Sequence, residues 1–342
     1  MKRSQAGPKP LAAAGLALAK TRLRGLIRAA RLPFVGRGGI LLYHRVTTLA
    51  RDPWGLAVTE GHFAAHLELL RRRTMCLPLP ELLARRAAGK LSRNATALTF
   101  DDGYADNLEA ALPLLERYEI PATVFILSGF VGGSDETWWD RLERAIFEAP
   151  ELPGELAIGA AGRSVAWTHP DGPLTAEMRH DLHIRLYDCL AHADTPAREA
   201  AFEALWRQLG RQPVLRPSHR PLDETELRRL ADHPLITIGA HTMTHPHLAR
   251  IDATRQQNEL SGSKADLEAR LGRPVAMVAY PHGSNDAVTV SAARAAGFQV
   301  GFTTVPRVVP YRLDPFRVPR INIEDQDGDA FAALLRWYRL LG

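Results

Sequence analysis

Short apolar runs alternate along the chain with segments whose apolar residues recur at helical spacing. This alternation is typical of a parallel sheet whose strands are connected by crossover helices. The apolar runs predict six strands and a weaker seventh, at residues 40–43, 97–100, 122–127, 235–239, 276–280, 298–303 and 316–321. The segments between them predict helices at 59–73, 107–118, 223–231, 256–271 and 288–296, the first of them capped by Thr59.

The number of strand–helix units favours one architecture. Six or seven units favour a closed barrel over an open doubly wound sheet, and no glycine-rich dinucleotide or phosphate-binding fingerprint follows any of the predicted strands. The sequence therefore predicts an α/β fold, a distorted (β/α)7-type barrel that occupies residues 37–342.

One interval between predicted strands is too long for a single strand–helix unit. Residues 132–221 show helical patterns at 138–148, 175–191 and 196–209 and contain four of the six tryptophans. We predict that they form an inserted helical subdomain on one rim of the barrel, as a lid or as a wall that contacts the ligand. Alternatively, the tryptophans fill a small core of the insertion itself, which we favour for Trp167 and Trp206.

The charge is distributed unevenly along the chain. The first 50 residues contain ten Lys or Arg and no Asp or Glu, whereas the rest contains 33 Lys or Arg and 38 Asp or Glu. Because the basic excess is confined to the N-terminus, we expect no nucleic-acid partner for the folded body. Residues 1–36 are predicted to be a basic leader.

The leader contains apolar residues at helical spacing between arginines at 11–32. A basic amphipathic helix on an anionic membrane surface would show this pattern, and so would a solvated leader helix. A secretion signal fits less well because the apolar stretch is short and rich in alanine. We therefore expect a cytoplasmic location or a peripheral one at the inner membrane, rather than secretion or a periplasmic location.

Composition limits the chemistry that is available. The hydrophobic and charged fractions, 46% and 24%, are those of a globular protein, and the chain has only two cysteines, Cys76 and Cys189. A disulfide framework and a cysteine-based zinc site are therefore excluded. A metal ion would have to be bound by histidines and carboxylates.

Candidate ligands follow two of the predicted strands. The run L-T-F-D-D-G-Y delivers Asp101 and Asp102 into a glycine turn, and the run H-T-M-T-H-P-H places His241 and His245 four positions apart. Adjacent carboxylates diverge, so one can bind a cation while the other takes a proton. Two imidazoles with one carboxylate make a site with open positions, as catalytic zinc requires.

Two further strands end in single histidines. His44 follows the first strand in L-L-Y-H-R, and His282 follows a later one in Y-P-H-G. A lone histidine after an apolar strand is more often structural than catalytic. The pairs His62/His66 and His180/His183 lie in amphipathic runs away from strand ends, so we interpret them as surface or packing residues.

Together, the runs T-F-D-D-G-Y, H-T-x-x-H-P and Y-P-x-G resemble, in type and order, the polysaccharide deacetylases of carbohydrate esterase family 4, the NodB-homology domain, over about residues 38–325. The resemblance implies that Asp101 is the general base and that Asp102, His241 and His245 bind a divalent metal, Zn²⁺ first, with Co²⁺, Ni²⁺ or Mn²⁺ as alternatives. His44 is similar to the proton donor in the poly-N-acetylglucosamine deacetylase branch, where that histidine comes first in the chain.

The same resemblance implies a function and further binding residues. We expect the removal of N-acetyl groups from N-acetylhexosamine units of a polysaccharide or glycan precursor, with release of acetate. Tyr104, whose backbone N–H would meet the oxyanion, and Tyr280, His282 and Arg320 are the expected substrate-binding residues. An O-acetyl esterase or a small-molecule amidase using the same site, or a non-catalytic glycan-binding module, are the alternatives.

The sequence departs from the family pattern in two places. The third motif often begins with an arginine that orients the base, and here that position is Ala279. Arg320 or Arg317 is a candidate substitute, although either could be an ordinary surface arginine at a strand end. The fourth family motif, which has an Asp and a Trp, is not placed by the sequence.

Overall fold

The computed structural model describes residues 38–133, 135–169 and 174–341. Its main sheet contains seven parallel strands in the order β11-β10-β9-β6-β5-β1-β12, and a short eighth strand, β4, pairs with β5. The twelve strands of the described chain are β1 Gly39–Tyr43, β2 Arg45–Val46, β3 Ala57–Val58, β4 Met75–Cys76, β5 Ala95–Phe100, β6 Ala122–Ile126, β7 Glu155–Ala160, β8 Arg163–Thr168, β9 Ile236–Ala240, β10 Met277–Ala279, β11 Val300–Phe302 and β12 Ile321–Asn322. The expected distorted barrel is confirmed.

One short segment, residues 318–322, connects the two edges of this sheet. Val318 forms a parallel bridge with Phe302 of β11, and three residues later Ile321 pairs with Leu41 of β1. The sheet thus curls until one segment lies between its first and last strands. A residue in the middle of this segment lies at the seam of the barrel.

Ten α-helices surround the sheet and form the insertion in the described chain. They are α1 Glu60–Arg73, α2 Leu79–Ala87, α3 Leu112–Tyr118, α4 Trp138–Phe147, α5 Ala176–Ala191, α6 Thr195–Gln208, α7 Glu224–Ala231, α8 Ala253–Leu271, α9 Ala287–Ala295 and α10 Gly328–Trp337. A π-helical turn, Asn107–Ala111, precedes α3. All predicted helices are present, whereas α2 and α10 were not predicted.

The predicted Thr59 cap is wrong in its chemistry. Thr59 lies at the N-cap of α1 but makes no side-chain cap bond. Its hydroxyl instead donates to Asp325, 3.1 Å away, in the segment between β12 and α10. Thr59 therefore links the start of α1 to the segment before α10, and its side chain does not cap its own helix.

Residues 132–221 do not form a purely helical insertion, which corrects the prediction. Strands β7 and β8 pair as an antiparallel hairpin beside α4, α5 and α6. The alternation of buried and exposed residues along both strands fits one face packed on the helices and one in solvent. Trp138, Trp167 and Trp206 are buried in the core that these elements share, as favoured for the last two.

The other two apolar clusters belong to the barrel. One lies between the sheet and its surrounding helices, and the other includes Phe125 and Phe302, whose rings are 5.2 Å apart. Within the described residues, no helix is long and apolar enough to cross a membrane. The predicted leader, residues 1–36, lies outside the described residues.

Candidate active site

The predicted ligands all lie where strands end, at the same edge of the barrel. Asp101 and Asp102 follow β5, and His241 follows β9, with its backbone N–H donating to Ile126 at the end of β6. Asp102 has φ 74°, which turns the chain sharply after the strand. Gly103 continues the turn at φ 72°, and a Cβ there would lie 2.9 Å from Ile126. Only glycine fits this position without strain.

Asp102, His241 and His245 form a three-residue ligand cluster. The Nε2 atoms of His241 and His245 lie 3.4 Å and 3.6 Å from Oδ1 of Asp102, and all three side chains are buried. Ligands at about 2.0–2.1 Å from a tetrahedral zinc ion would be separated by roughly 3.3 Å. The spacing therefore fits a cation between the three atoms.

Unpaired polar atoms support this fit. Oδ1 of Asp102 is buried and has no hydrogen-bond partner among the described residues, an arrangement that costs free energy unless another group compensates it. Nδ1 of His241 lies 2.9 Å from the carbonyl of Ala279, so Nδ1 donates and Nε2 is the ring nitrogen that faces Asp102. Burial, reinforced by neighbouring histidines, holds the pKa of His245 well below its usual value, which keeps this imidazole neutral and able to bind a metal.

The loop that carries the two histidines is held by a residue that the sequence analysis missed. The carboxylate of Glu259, on α8, accepts hydrogen bonds from the backbone N–H groups of Met243 and Thr244 and from the Thr244 hydroxyl. His245 has φ 60°, an unfavourable conformation for a residue with a Cβ. Glu259 thus stabilises a strained loop conformation that points His245 at Asp102.

Arg320 lies at the barrel seam and pairs with Asp101. Its Nη1 and Nη2 atoms donate to the two carboxylate oxygens of Asp101, both at 2.7 Å. Burial tends to raise the pKa of Asp101, but the charge of Arg320, helped by His241, outweighs it and lowers that pKa. Asp101 is therefore ionised at neutral pH and fixed in orientation.

This placement decides between the two candidate arginines. Arg320 is fully buried behind Asp101, so the predicted contact between Arg320 and the substrate is wrong. Its geometry matches the other suggestion, that Arg320 replaces the base-orienting arginine of the third family motif. Arg317 instead pairs with Asp314 and Asn285 at the surface.

The remaining predicted residues divide into two groups. His44 and His282 line the same pocket as the ligand cluster. Tyr280 does not, because its ring is buried against Gly301 and its hydroxyl has no hydrogen-bond partner in the described structure; its expected substrate contact is wrong. The side chain of Tyr104 also points away, since its hydroxyl donates to Asp140 and accepts from the indole N–H of Trp139.

His44 lies in a mixed electrostatic environment. Burial lowers the pKa of its imidazole, and the carboxylates of Asp102 and Asp101 oppose this effect without cancelling it. The side chain is therefore mostly neutral at neutral pH in the free protein.

The pocket has a cavity volume of about 220 Å³ and an aromatic wall. Trp139 and Tyr187 come from the insertion, and Trp54 comes from the loop between β2 and β3. The rings of Trp54 and Tyr187 are 4.5 Å apart, and Trp139 lies 4.5 Å from the ring of His245. The wall and the ligand cluster face the same small space, which suits a ligand with both apolar faces and polar groups.

Sequence signals for these missed residues existed in part. Trp139 and Asp140 belong to the run D-E-T-W-W-D, where two adjacent tryptophans precede an acid. Trp54, Tyr187 and Glu259 have no local signal, because each belongs to an ordinary loop or helix pattern. The other histidine pairs behave as interpreted: His66 stacks on Phe331 at 4.0 Å, and His183 is buried.

Comparisons with known proteins agree with this site. The family model described as polysaccharide deacetylase matches residues 88–148 and 158–301. Among curated proteins, YxkH of Bacillus subtilis (strain 168), which is classed by name with the polysaccharide deacetylases, is 22% identical over 86% of this chain and 75% of its own. A poly-beta-1,6-N-acetyl-D-glucosamine N-deacetylase of Staphylococcus aureus is 34% identical, but only over 22% of this chain and 27% of its own.

Solved structures share the fold. The deacetylase PplD of Streptococcus pyogenes, in complex with acetate, superposes with a TM-score of 0.56 at 17% identity, covering 86% of this chain and 96% of its own. IcaB from Ammonifex degensii gives 0.54 at 18% identity, covering 89% and 97%.

The match to the family model identifies the class of enzyme to which this chain belongs. The chain belongs to the polysaccharide deacetylase family and is an enzyme of that class. The family is metal-dependent, and Asp102, His241 and His245 are the residues here that fit a metal ion.

Proposed function

We propose that the chain is a metal-dependent N-deacetylase that hydrolyses the acetamide of N-acetylhexosamine units in a glycan and releases acetate. The main supporting observation is the arrangement around Asp102. The Nε2 atoms of His241 and His245 converge on its Oδ1 atom, while the neighbouring Asp101 is bound separately by Arg320. One carboxylate is thus available for a cation and the other for a proton.

A metal ion fits the cluster chemically as well as geometrically. Two imidazoles and one carboxylate suit Zn²⁺, which we propose as the native ion, with Co²⁺, Ni²⁺ and Mn²⁺ as alternatives to be tested. When bound, such an ion supplies Lewis acidity, which polarises a carbonyl oxygen and makes a coordinated water more acidic.

The residues of the chain supply the proton transfers. Asp101 is ionised and oriented by Arg320, so its carboxylate can accept a proton from the attacking water. An amine leaves poorly as an anion, so it must be protonated as the C–N bond breaks. We assign this donation to His44, which lines the same pocket; because burial lowers the pKa of His44, the imidazole must gain a proton before it can donate one.

The pocket size supports a sugar as the reacting unit. Its volume of about 220 Å³ is below the ~300–1,000 Å³ typical of sites for drug-sized ligands and suits about one sugar ring. The aromatic wall offers apolar faces for the ring and the acetyl methyl group. A relative named for poly-beta-1,6-N-acetyl-D-glucosamine supports N-acetylglucosamine as the first substrate to test.

Acetate release from a panel of substrates tests the function. Oligomers of N-acetylglucosamine in β-1,6 and β-1,4 linkage should release acetate, the rate should disappear on chelation, and Zn²⁺ should restore it. Acetylated xylan serves as the comparison substrate. Acetate from xylan but none from the oligomers would assign the site to an O-acetyl esterase instead.

Three variants separate proton transfer from metal binding. Asp101→Asn should reduce turnover by about 10²–10⁴-fold, the usual contribution of a general base, and should keep its metal in elemental analysis. His241→Ala should lose both turnover and bound metal. His44→Ala should keep metal and lose most of its rate; an unchanged rate would return His44 to a structural role.

We also keep a proposal for the location. Residues 11–32 would contact an anionic membrane surface, placing the enzyme in the cytoplasm or at the inner membrane, on the basis of their sequence alone. Fractionation of a tagged full-length chain tests this, and recovery from the periplasm or the medium would contradict it.

A further inference from the structure

A second, open groove lies next to the catalytic pocket. It has a volume of about 730 Å³, and its lining residues come from the loop before Trp54, from α4 and from one face of α5.

The groove and the catalytic pocket adjoin along two chain segments. Pro53 lines the groove and the next residue, Trp54, lines the pocket. On α5, Ile184 lines the groove, and Tyr187, one turn further, lines the pocket. Because residues three or four apart share a helix face, this face of α5 runs from one cavity into the other.

Aromatic side chains continue from one cavity to the other. The Trp54 ring lies 4.5 Å from Tyr187 on the pocket side and 5.3 Å from His183. His183 in turn lies 5.0 Å from Phe147, which lines the groove. Ring contacts through Trp54 and His183 thus connect the lining of the pocket to the lining of the groove.

The length of the groove suits a chain rather than a small molecule. The α5 face from Tyr187 back to Glu177 covers ten residues, or roughly 15 Å of helix, which is room for about three further sugar rings. The catalytic pocket, at about 220 Å³, holds only the reacting unit. A polymer that reacts there needs a surface for its neighbouring units.

The charges of the groove limit which polymer fits. Among the described residues that line the groove, Arg51 is the one arginine, and it lies 3.8 Å from Glu143. The carboxylate of Asp52 accepts from backbone N–H groups of its own loop, and Asp181 pairs with Arg185. An anionic chain, such as one containing uronate or phosphate groups, would therefore find a single arginine in this lining. A neutral chain of N-acetylhexosamine units needs no such partner.

We propose that this groove, from Trp54 along α5 to Glu177, binds the units of an uncharged glycan chain that precede or follow the reacting sugar. The proposal rests on the proposed function and specifies its substrate as a chain of about four or more units. The groove makes long oligomers better substrates than short ones, and the insertion is the part of the protein that recognises length.

Ile184 allows a test of this groove. Its side chain is 41% exposed and lies at the end of the groove nearest the pocket, so Ile184→Arg adds bulk there with little effect on packing. Val288, on α9, is 42% exposed and does not line the groove. Val288→Arg is therefore the matched control, and thermal unfolding of both variants checks their folding.

The measurement is kcat/KM for acetate release from the dimer and the hexamer of N-acetylglucosamine. In the unmodified enzyme we expect the hexamer to be preferred by about tenfold or more, the equivalent of one or two sugar contacts. Ile184→Arg should bring the hexamer-to-dimer ratio close to one, whereas Val288→Arg should keep it. A binding titration of the hexamer into metal-depleted enzyme should show the same loss for Ile184→Arg.

The outcomes separate this inference from the function on which it depends. Equal kcat/KM for dimer and hexamer in the unmodified enzyme, or a preserved ratio in Ile184→Arg, would overturn the groove while leaving the deacetylase intact. A ratio lost in Val288→Arg and kept in Ile184→Arg would overturn it by placing the chain beside Val288 instead. No acetate from any oligomer would overturn the proposed function itself.

Discussion

The pair of Asp101 and Arg320 shows how one residue's chemistry depends on a distant partner. The two residues are 219 positions apart, yet their side chains make two hydrogen bonds of 2.7 Å at the bottom of the pocket. A bidentate guanidinium fixes a carboxylate in both position and charge, which a lysine cannot do with one ammonium group. We therefore propose that Arg320 is a positioning residue, which would act on the reaction through Asp101.

Replacing Arg320 by lysine tests this positioning. Arg320→Lys keeps the positive charge but loses the fork, so we expect kcat to fall by about 10–100-fold, with KM and metal content nearly unchanged. Arg317→Lys, at the surface three residues away, should leave kcat as it is. The measurements are steady-state kinetics and elemental analysis. Equal kcat values for Arg320→Lys and the unmodified enzyme would contradict the assignment.

At the scale of elements, the loop after β9 depends on helix α8. Glu259 accepts three hydrogen bonds from this loop, and the loop contains residues with positive φ that its local sequence does not favour. Gly262, on the same helix, leaves room for the side chain of Met243. The helix therefore determines where His245 points.

Removing the charge of Glu259 should weaken metal binding. In Glu259→Gln one oxygen remains as acceptor, and the amide presents donors to backbone N–H groups that need acceptors. Loss of such outer partners typically costs 10–100-fold in metal affinity. Glu268→Gln is the control, because Glu268 lies on the same helix and accepts from Val275 instead. Competitive titration of Zn²⁺ with a chelator measures the affinity; equal values for both variants would refute the role of Glu259.

A second element contact joins α1 to the region before α10 and predicts a pH effect. Burial lowers the pKa of His66 to about 4; its Nε2 lies 2.7 Å from the Gln326 carbonyl, and its Nδ1 lies 3.3 Å from the Tyr43 hydroxyl. The folded state thus holds this imidazole neutral, whereas the unfolded chain protonates it near pH 6.5. Between pH 6.5 and 4 the unfolded state binds more protons, so stability falls as the pH falls.

We expect His66 to account for up to roughly 3 kcal/mol of this loss in the free energy of unfolding. In His66→Phe, which keeps an aromatic ring on Phe331, the free energy of unfolding should vary less between pH 7 and 4. Arg73→Gln, at an exposed position at the end of the same helix, should keep the slope of the unmodified protein. Denaturant unfolding at several pH values measures how the free energy of unfolding depends on pH. Identical slopes for all three proteins would disprove the assignment of this pH dependence to His66.

At the scale of the whole molecule, the site connects the barrel to the insertion. Trp139 and Asp140, from α4, both hydrogen-bond the hydroxyl of Tyr104, which follows Asp101 and Asp102 closely in the chain. Arg45 lies over the ring of Tyr104 at 4.2 Å and pairs with Asp106. Contacts between the barrel and the insertion therefore fix the position of the aromatic wall relative to the candidate metal ligands.

A cation bound to this site should stabilise the whole fold. Its ligands come from loops after β5 and β9, and binding to the folded state alone at about 1,000 times the dissociation constant adds about 4 kcal/mol. We expect chelation to lower Tm by several degrees in differential scanning calorimetry. Asp102→Asn, which loses one ligand, should respond much less; a Tm that is unaffected by chelation in the unmodified protein would count against a bound metal.

Much of the fold was predictable because its signals are local. The apolar runs before Asp101, His241 and His44 are strands because their residues are buried on both faces of a parallel sheet. The hairpin β7–β8 was missed although Leu156, Ile158 and Ala160 alternate with exposed residues, because the surrounding segments show helical patterns. The type of an element can be predicted from the residues that surround it in the sequence. This prediction fails where a short element lies inside a region of another type.

The sequence by itself determined the candidate carboxylates and imidazoles of the site, because each follows its own strand within a few residues and parallel strands end at one edge. Only the tertiary structure decided what surrounds them. Arg320 behind Asp101, Glu259 behind His245, and the wall of Trp54, Trp139 and Tyr187 all depend on segments far apart in the chain. Closure of the barrel and docking of the insertion bring these segments together, and no local pattern of residues specifies which side chains then meet.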